Sequence, residues 1–199
     1  MPDQTAEVRA LAGLVVSRPA RLRGTRLVLL EGRAGAGKTT LAAALADRLR
    51  RGGPLAEAPA NGTSALVTVL AMDDLYAGWG GLPGVGRELH EQVIRPLADG
   101  VRPRIRPWDW HRDRRAAARS LPLSQVLLVE GVGSWSTALA RWVSLLAWVE
   151  APAALRKQRA LARDGDGFAP YWDAWAADEE RVHLREGTRA HADIVFHSR

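Results

Sequence analysis

The sequence alternates between short apolar runs rich in branched residues and longer segments whose apolar residues recur at helical spacing. The apolar runs predict strands at residues 26–32, 65–71, 125–131, 143–150 and 192–198. The longer segments predict helices at residues 5–16, 38–52, 87–100, 134–142, 151–165 and 171–187. Pro96 is expected to kink or end the third of these helices.

Strands that alternate with helices predict an α/β fold with a mostly parallel five-stranded sheet, covered by helices on both faces. Such sheets bind ligands at the carboxyl ends of their strands. Two segments rich in turn residues, 53–62 and the glycine-rich 77–86, are predicted to be loops. No internal repeat or domain boundary interrupts the alternation, so we expect one domain over residues 1–199.

The composition agrees with a globular domain. The chain has 199 residues, of which 47% are hydrophobic, enough for one α/β domain and short for two. No apolar run approaches the ~20 residues needed to cross a bilayer, so we expect no membrane association. The amino-terminal segment carries acids before a short apolar patch, unlike a secretion signal. The absence of cysteine excludes disulfides and thiolate metal sites, and we expect a cytoplasmic protein.

The formal charge of +6 comes almost entirely from arginine, since Lys38 and Lys157 are the only lysines. A GC-rich genome also produces an excess of arginine and alanine; otherwise the charge favours anionic ligands. The arginines are scattered, and no DNA- or RNA-binding motif accompanies them. We therefore expect no nucleic-acid partner.

A glycine-rich motif, GRAGAGKT, joins the first predicted strand to the following helix. It satisfies G-x-x-x-x-G-K-[ST], the phosphate-binding loop (P-loop), in the strand–loop–helix context that makes the match meaningful. The glycines let backbone amides wrap a phosphate, and the helix start presents further unpaired amides to the anion. Lys38 is expected to reach the outer phosphates and Thr39 to bind Mg²⁺. The predicted nucleotide-binding residues are Gly32, Arg33, Ala34, Gly35, Ala36, Gly37, Lys38, Thr39 and Thr40.

A P-loop alone does not establish the reaction, because kinases, GTPases, motors and assembly ATPases share it. The chain has no N-K-x-D sequence for guanine recognition, and motors and ring ATPases generally need a longer chain. These observations favour a small-molecule kinase that uses ATP and Mg²⁺.

Four segments, taken in order, resemble the uridine kinase group of P-loop kinases, which includes phosphoribulokinase and pantothenate kinase. They are the P-loop, MDDLY at 72–76, WDWHRDRR at 108–115, and VEG at 129–131 followed by an arginine-bearing helix. The similarity covers residues 26–197. It implies a three-layer αβα P-loop NTPase fold with a small helical lid around residues 156–170.

The resemblance also implies roles for individual residues. Glu130, at a strand end, would contact Mg²⁺ together with Thr39; a carboxylate facing solvent is the alternative. Arg156, Arg159 and Arg163 lie three and four residues apart along one helix face. Guanidinium groups there would stabilise a transferring phosphoryl group, with a solvated basic face as the alternative. We assign Arg159 and Arg163 to catalysis and Arg156 to the acceptor.

The sequence AMDDLY, residues 71–76, ends an apolar strand on two adjacent carboxylates. One interpretation is a solvated turn, and the other is that one acid takes the proton of an acceptor hydroxyl. Asp73 is the first acid after a strand expected beside the P-loop strand, and it matches the aspartate of the family's D-x-[FY] motif. We therefore assign Asp73 to catalysis and to acceptor binding, with Tyr76 as a further acceptor contact. Pleat alternation would turn Asp74 to the other side, into a turn or cap.

Aromatic residues supply the other predicted acceptor contacts. Trp108 and Trp110 fall on one side of the segment if it is extended, where they would face a flat ring. His111 would face a hydroxyl, and edge packing is the alternative for the tryptophans. Trp172 and Trp175, three apart on a helix, are assigned to the core rather than to the pocket. The remaining histidines show no metal-ligand spacing and receive no role.

The predicted function is transfer of the γ-phosphoryl group of ATP to a hydroxyl of a nucleoside-like metabolite. Uridine kinases hold the ribose with an acidic, aromatic-rich segment, whereas this chain has GWGGLPGVGREL there, with no acid before Glu88. We therefore expect uridine and cytidine to be poor substrates. Two alternatives stay open: a phosphorylated acceptor such as a nucleoside monophosphate, which the arginines favour, and a regulatory protein that hydrolyses ATP slowly. The sequence also leaves open whether the chain forms a homo-oligomer.

Overall fold

The structure is a computed structural model that describes residues 3–51 and 65–198, without the side chains of residues 3–5 and 166. The predicted loop at 53–62 lies outside the described residues. In the described part, the strands are β1 (Arg26–Glu31), β2 (Ala65–Ala71), β3 (Arg104–Ile105), β4 (Trp108–Asp109), β5 (Arg114–Arg115), β6 (Arg119–Ser120), β7 (Ser124–Glu130), β8 (Val143–Glu150) and β9 (Ile194–His197). The helices are α1 (Asp3–Ser17), α2 (Lys38–Arg51), α3 (Val85–Leu89), α4 (Arg95–Ala98), α5 (Ala153–Asp164), α6 (Trp172–Glu186) and α7 (Thr188–His191). None of these helices is long and apolar enough to span a bilayer.

The five long strands form one parallel sheet in the order β2–β7–β1–β8–β9. They are the five strands that the apolar runs predicted, with ends shifted by one or two residues. The α/β fold class with a five-stranded parallel sheet is thereby confirmed. Since all five strands point the same way, their carboxyl ends share one edge of the sheet.

Alternate residues of β1 serve two separate cores, one on each face of the sheet. Leu27 and Leu29 pack with the helical segment 85–98 and with α6. Val28 and Leu30 pack with α1 and α2. A strand buried on both faces has no polar side, which explains why it reads as a continuous apolar run. The three-layer αβα arrangement is confirmed.

The helix predicted at 87–100 forms as α3, a π-helical turn at His90–Ile94, and α4. At the end of the turn, the Arg95 N–H donates to the His90 carbonyl, five residues back. Pro96, which has no N–H to contribute, lies in the first turn of α4. The expected disturbance at this proline is therefore a π-helical turn before it, and the helix does not end there.

The prediction of a helix at 134–142 is wrong. Only a 3₁₀ turn forms, at Thr137–Leu139. Two backbone amides of this stretch donate to carboxylates far away in sequence: Trp135 N–H to Glu31 and Thr137 N–H to Glu186. Because these amides donate to distant carboxylates, they are not available for the backbone hydrogen bonds of a helix.

Two short antiparallel strand pairs, β3 with β6 and β4 with β5, join α4 to β7. Strands of two residues carry no detectable periodicity, so the sequence did not predict them. The Arg115 guanidinium donates to the carbonyls of Leu75 and Tyr76, which ties this segment to the residues that follow β2. The Trp110 indole N–H likewise donates to the Asp73 carbonyl.

The junction of β1 with the P-loop generates the first testable prediction. Gly32 has a φ of +142°, and a Cβ there would overlap the carbonyl oxygen of Val149 in β8. Gly32→Ala is therefore expected to lower the free energy of unfolding by ~2 kcal/mol or more, because two backbones must separate. Urea unfolding followed by circular dichroism measures the loss. Gly80→Ala is the control, because its new methyl group meets open space. Its free energy of unfolding should stay within ~0.5 kcal/mol of the parent value. Equal losses of stability in the two variants would contradict the close packing at Gly32.

Candidate active site

A cavity of about 990 Å³ lies at the carboxyl ends of the strands. Its walls come from the P-loop, the end of β7, the turn after β2, one side of α5 and the start of α6. This is where parallel α/β sheets bind their ligands. The volume lies at the upper end of the range for small-molecule sites, about 300–1,000 Å³.

The P-loop forms one wall of this cavity. Gly35 and Gly37 have φ angles of +75° and +96°, a conformation that favours glycine and lets the loop curl. Lys38 lies along the inside of the curl, only 7% exposed, and its Nζ donates to the carbonyls of Gly32 at 2.7 Å and Arg33 at 2.9 Å. The loop therefore presents a lysine and the start of α2 to the cavity, as an anion site requires.

Most of the predicted nucleotide-binding residues line the cavity: Ala34, Gly35, Gly37, Lys38, Thr39 and Thr40. The other three are not among the lining residues. Gly32 packs against β8, Arg33 forms an ion pair with Glu180, and Ala36 is buried in the core beneath α2. These three residues support the loop from behind.

Thr39 and Glu130 form a pair suited to Mg²⁺. The Thr39 hydroxyl donates to Glu130 Oε1 at 3.0 Å, and the glutamate is buried at the end of β7. Burial raises the pKa of Glu130, the Lys38 ammonium acts to lower it, and the Asp73 carboxylate adds to the rise. A desolvated carboxylate beside a hydroxyl fits a metal that takes one or two protein oxygens and completes its shell with phosphates and water. The described residues contain no cluster of three or more His, Asp or Glu that would hold a metal alone.

The setting of the two acids after β2 differs from the prediction in two ways. β7 lies between β2 and β1, so β2 is not the neighbour of the P-loop strand. The strand also ends at Ala71, and the acids lie on a 3₁₀ turn, Met72–Asp74, instead of an extended pleat. Asp73 nevertheless lines the cavity, while Asp74 is outside the lining set and pairs with Arg119 at 2.6 Å.

The surroundings of Asp73 raise the pKa of its carboxyl group. Its side chain is accessible from the cavity, but protein surrounds it on the other sides, and this desolvation raises its pKa. Arg163 and Lys38 act to lower the pKa, whereas Asp164 and Asp74 act to raise it. A carboxylate with a raised pKa holds a transferred proton better than an ordinary aspartate does.

Two of the three predicted arginines of α5 line the cavity. Arg159 and Arg163, one helical turn apart, both face it. The Arg163 guanidinium forms two hydrogen bonds with Asp164, at 2.8 and 2.7 Å, and these raise its pKa. Arg159 Nη1 donates to Ser198 Oγ at 2.9 Å. Both guanidinium groups thus border the space in front of the P-loop.

Arg156 lies elsewhere. Its guanidinium donates to the carbonyls of Ala151 at 3.2 Å and Ala34 at 3.3 Å, and it is not among the described residues that line the cavity. The first turn of α5 packs against the P-loop so closely that a Cβ at Gly35 would overlap the Arg156 carbonyl. This contact directs the Arg156 side chain behind the loop, away from the predicted acceptor site.

Aromatic rings form a second wall of the cavity. Trp79 stacks on Phe168, with ring centres 4.9 Å apart, and on Tyr171, 5.0 Å apart. Trp110 packs against Trp79 at 4.7 Å. The sequence analysis missed Trp79, Phe168 and Tyr171. Their signal was available: aromatic residues recur three and four apart directly after the arginines, and one tryptophan interrupts the glycine-rich loop.

The predicted aromatic pair does not share this wall. Trp110 and His111 line the cavity, but Trp108 is absent from its described lining residues. Trp110 lies in the turn that follows β4, so the alternation of an extended segment does not reach it. The Trp108 ring packs beside Gly78, with the Arg115 guanidinium 5.5 Å from its centre.

Tyr76 and Trp175 both belong to the hydrophobic core and line the cavity. Tyr76 is buried and lines the cavity, but its hydroxyl donates to the Val132 carbonyl at 2.8 Å and is already committed. Trp175, assigned to the core from the sequence, belongs to the core and also lines the cavity. Trp172 packs against the core outside the cavity, with Lys157 Nζ 5.9 Å from its ring.

Buried acids beneath the site were also missed. Glu31, the last residue of β1, accepts hydrogen bonds from Gly133 N–H, Ser134 Oγ–H and Trp135 N–H. His183 Nε2 lies 3.1 Å from the same carboxylate. The end of β1 is thereby joined to the segment that follows Glu130 and to α6. Nothing in the local sequence marks these residues, because each partner lies about a hundred positions or more away.

The fold is similar to those of two solved kinase structures. One is a "Possible Uridine Kinase" from Bacillus stearothermophilus, with a TM-score of 0.65 and 21% identity over 95% of this chain and 96% of that chain. The other is a "putative fructose transport system kinase" from Silicibacter sp. TM1040, with a TM-score of 0.58 and 24% identity over 95% of this chain and 98% of that chain. The fold of this chain is thus similar to the folds of these two proteins over nearly its whole length. No protein-family model and no curated protein matches the sequence, and at identities this low the similarity concerns the fold alone.

The raised pKa of Asp73 predicts a pH-dependent effect on stability. Folding favours the protonated carboxyl, so the ionised form destabilises the native state as the pH rises above the ordinary value of 3.8. Asp73→Asn should therefore match the parent in thermal unfolding midpoint at low pH and exceed it increasingly up to neutral pH. Asp74→Asn, which loses the ion pair with Arg119, should show no such gain. A midpoint lowered by Asp73→Asn at neutral pH would contradict the desolvation.

Proposed function

We propose that the protein is an ATP-dependent kinase that transfers the γ-phosphoryl group to a hydroxyl of a nucleoside-like metabolite. The observation that carries this proposal is the position of Asp73. This carboxylate, whose pKa is raised by the partial desolvation of its side chain, faces the same cavity as Lys38 and Arg163. A protein that only binds or slowly hydrolyses ATP has no need of an acceptor base at this position.

The P-loop side of the cavity supplies the nucleotide site. The amides at the start of α2 and the Lys38 ammonium would hold the outer phosphates. Thr39 and Glu130, 3.0 Å apart, are the residues that would hold Mg²⁺. When bound, Mg²⁺ neutralises charge on the phosphate oxygens.

Transfer then requires little covalent chemistry from the protein. Asp73 would orient the acceptor hydroxyl and take its proton as the new oxygen–phosphorus bond forms and the bond to the ADP oxygen breaks. Arg159 and Arg163, which face the cavity from α5, would stabilise the charge that spreads over the transferring group. The groups proposed to take the proton and to stabilise the transferring phosphoryl group thus border one cavity.

The lining charges favour a neutral acceptor over a phosphorylated one. Among the described lining residues, the lysines and arginines are Lys38, Arg159 and Arg163, which serve the transferred phosphate. The rest of the wall is largely aromatic, with Trp79 and Trp110 prominent. Binding a second phosphate would require cations that this end lacks, because desolvating an unpaired charge is costly. Aromatic faces suit a flat, uncharged ring.

We also propose that residues 1–199 form a single kinase domain with a lid around residues 156–170. Support comes from the contacts of this segment: Arg159, Arg163 and Phe168 all border the cavity. A helix and turns that cover the site on one side can exclude water during transfer.

An ATP-consumption screen across nucleosides, nucleotides, vitamins and sugars, with Mg²⁺ present, tests the proposal. We expect turnover at ordinary kinase rates, ~1–100 s⁻¹, with a neutral hydroxyl compound that carries a flat ring. Uridine and cytidine should react more slowly, because no acid replaces the ribose-binding segment within residues 77–87. Faster turnover of a nucleoside monophosphate would favour the phosphorylated-acceptor alternative. Consumption of ATP that no acceptor stimulates would favour the regulatory alternative.

The two acids after β2 give a matched pair of variants. Asp73→Asn should lower phosphorylation of the acceptor found in the screen by ~10²-fold or more, the usual scale for losing a general base. Its affinity for ATP should be retained, because the P-loop is untouched. Asp74→Asn should cost much less, since Asp74 pairs with Arg119 outside the cavity. Steady-state kinetics measures the phosphorylation rate of both variants, and calorimetric titration measures their affinity for ATP. An equal loss of rate in the two variants, or a larger loss in Asp74→Asn, would contradict the assignment of Asp73 as the base.

A further inference from the structure

One face of α6 carries three buried side chains with polar groups: Trp175, Glu179 and His183. They follow one another at intervals of four residues and therefore lie in a row along the helix. Their exposed fractions are 5%, 1% and 8%. Burying a carboxylate as completely as that of Glu179 is costly unless its oxygens accept hydrogen bonds, so its partners are informative.

Glu179 joins the P-loop to the aromatic wall through a single oxygen. Its Oε1 accepts the backbone N–H of Ala34 at 2.6 Å and the indole N–H of Trp175 at 3.0 Å. Ala34 lies in the P-loop, and Trp175 lines the cavity beside Tyr76, with ring centres 4.9 Å apart. The carboxylate thus connects the P-loop backbone directly to one ring of the aromatic wall.

The Arg33–Ala34 peptide group is held on both sides. Its N–H, on Ala34, donates to Glu179, and its C=O, on Arg33, accepts from Lys38 Nζ at 2.9 Å. The Ala34 C=O, which belongs to the next peptide group, accepts from Arg156 Nη1 at 3.3 Å, and the positive charge of Arg156 also attracts the Glu179 carboxylate. With both of its groups engaged, the Arg33–Ala34 peptide cannot rotate, which keeps the Arg33 carbonyl oxygen turned toward Lys38. A carbonyl released from this hold would be free to turn into an anion site and repel phosphate.

We propose that Glu179 and Trp175 are positioning residues that fix the Arg33–Ala34 peptide of the P-loop and couple it to the acceptor end of the cavity. This inference rests on the proposed function for the assignment of the two ends. A ligand that shifts the Trp175 indole also shifts the hydrogen bond to Glu179, and through it the P-loop. Occupation of either end therefore changes affinity at the other, and the coupling is reciprocal.

Calorimetric titration of the full chain with Mg²⁺ and ATP tests the contact between Glu179 and the P-loop. Glu179→Ala should weaken ATP binding ~10-fold or more, the scale for losing hydrogen bonds to a charged group. Glu179→Gln, whose amide oxygen can still accept both N–H groups, should stay within ~3-fold of the parent. Thermal unfolding is followed in parallel, because a merely structural role would lower the midpoint and leave the affinity of the folded protein unchanged.

The role of Trp175 is tested by Trp175→Phe, which keeps an aromatic ring in the wall and removes the indole N–H together with the second ring. It should weaken ATP binding ~3-fold or more, although the lost N–H donates to Glu179 and not to the P-loop backbone. In the Glu179→Ala background, the same change should cause no further loss, since the route to Ala34 is already broken. If Glu179→Ala fails to fold, the ATP affinity of Trp175→Phe is the deciding measurement.

Asp178→Ala is the matched control, because it removes the acid next to Glu179 on the same helix, where the partner is Arg181. Its affinity for ATP should equal that of the parent. Unchanged affinity in Glu179→Ala or in Trp175→Phe would overturn the inference, as would losses that multiply independently in the double variant. A parent that binds ATP but phosphorylates no acceptor would refute the proposed function, and the binding series would still decide the positioning role. A parent that binds no ATP would overturn both.

Discussion

The close approach of the P-loop backbone to its neighbours is the constraint on which the site depends. A Cβ at Gly32 would overlap β8, one at Gly35 would overlap the first turn of α5, and one at Gly37 would lie 2.9 Å from the Ser198 hydroxyl. Each glycine therefore fixes the position of a different element. Because α5 is seated on the loop itself, its cavity-facing arginines are set at a defined distance from the phosphate site.

The site also concentrates acids whose ionisation the fold opposes. Desolvation raises the pKa values of both Asp73 and Glu130, and the Asp73 carboxylate adds to the rise at Glu130. Such groups destabilise a native state at neutral pH, so the rest of the molecule must offset them. Two apolar cores, one on each face of the sheet, do this. These destabilising acids lie at the carboxyl edge of the sheet, where the proposed reaction would take place.

A second set of acids stabilises the same edge. Glu31 binds three donors between Gly133 and Trp135, and Glu179 binds the Ala34 amide. These carboxylates are satisfied by hydrogen bonds. α6 contributes to both sets of contacts, through His183 and Glu179. The helix therefore stabilises the P-loop and the segment after β7 through hydrogen bonds. It also supplies part of the aromatic wall, through Trp175.

The sequence by itself determined the five strands, most of the helices and the P-loop, because these depend on periodicity and local motifs. It also identified Asp73, Lys38, Arg159 and Arg163, which the fold brings to one cavity. Only the tertiary structure decided the strand order, which places β7 beside β1, and the positions of side chains that leave the expected face. The role of Glu179 emerged only there. The Glu179–Ala34 contact spans 145 positions, and a contact at that separation leaves no periodic trace in a single sequence.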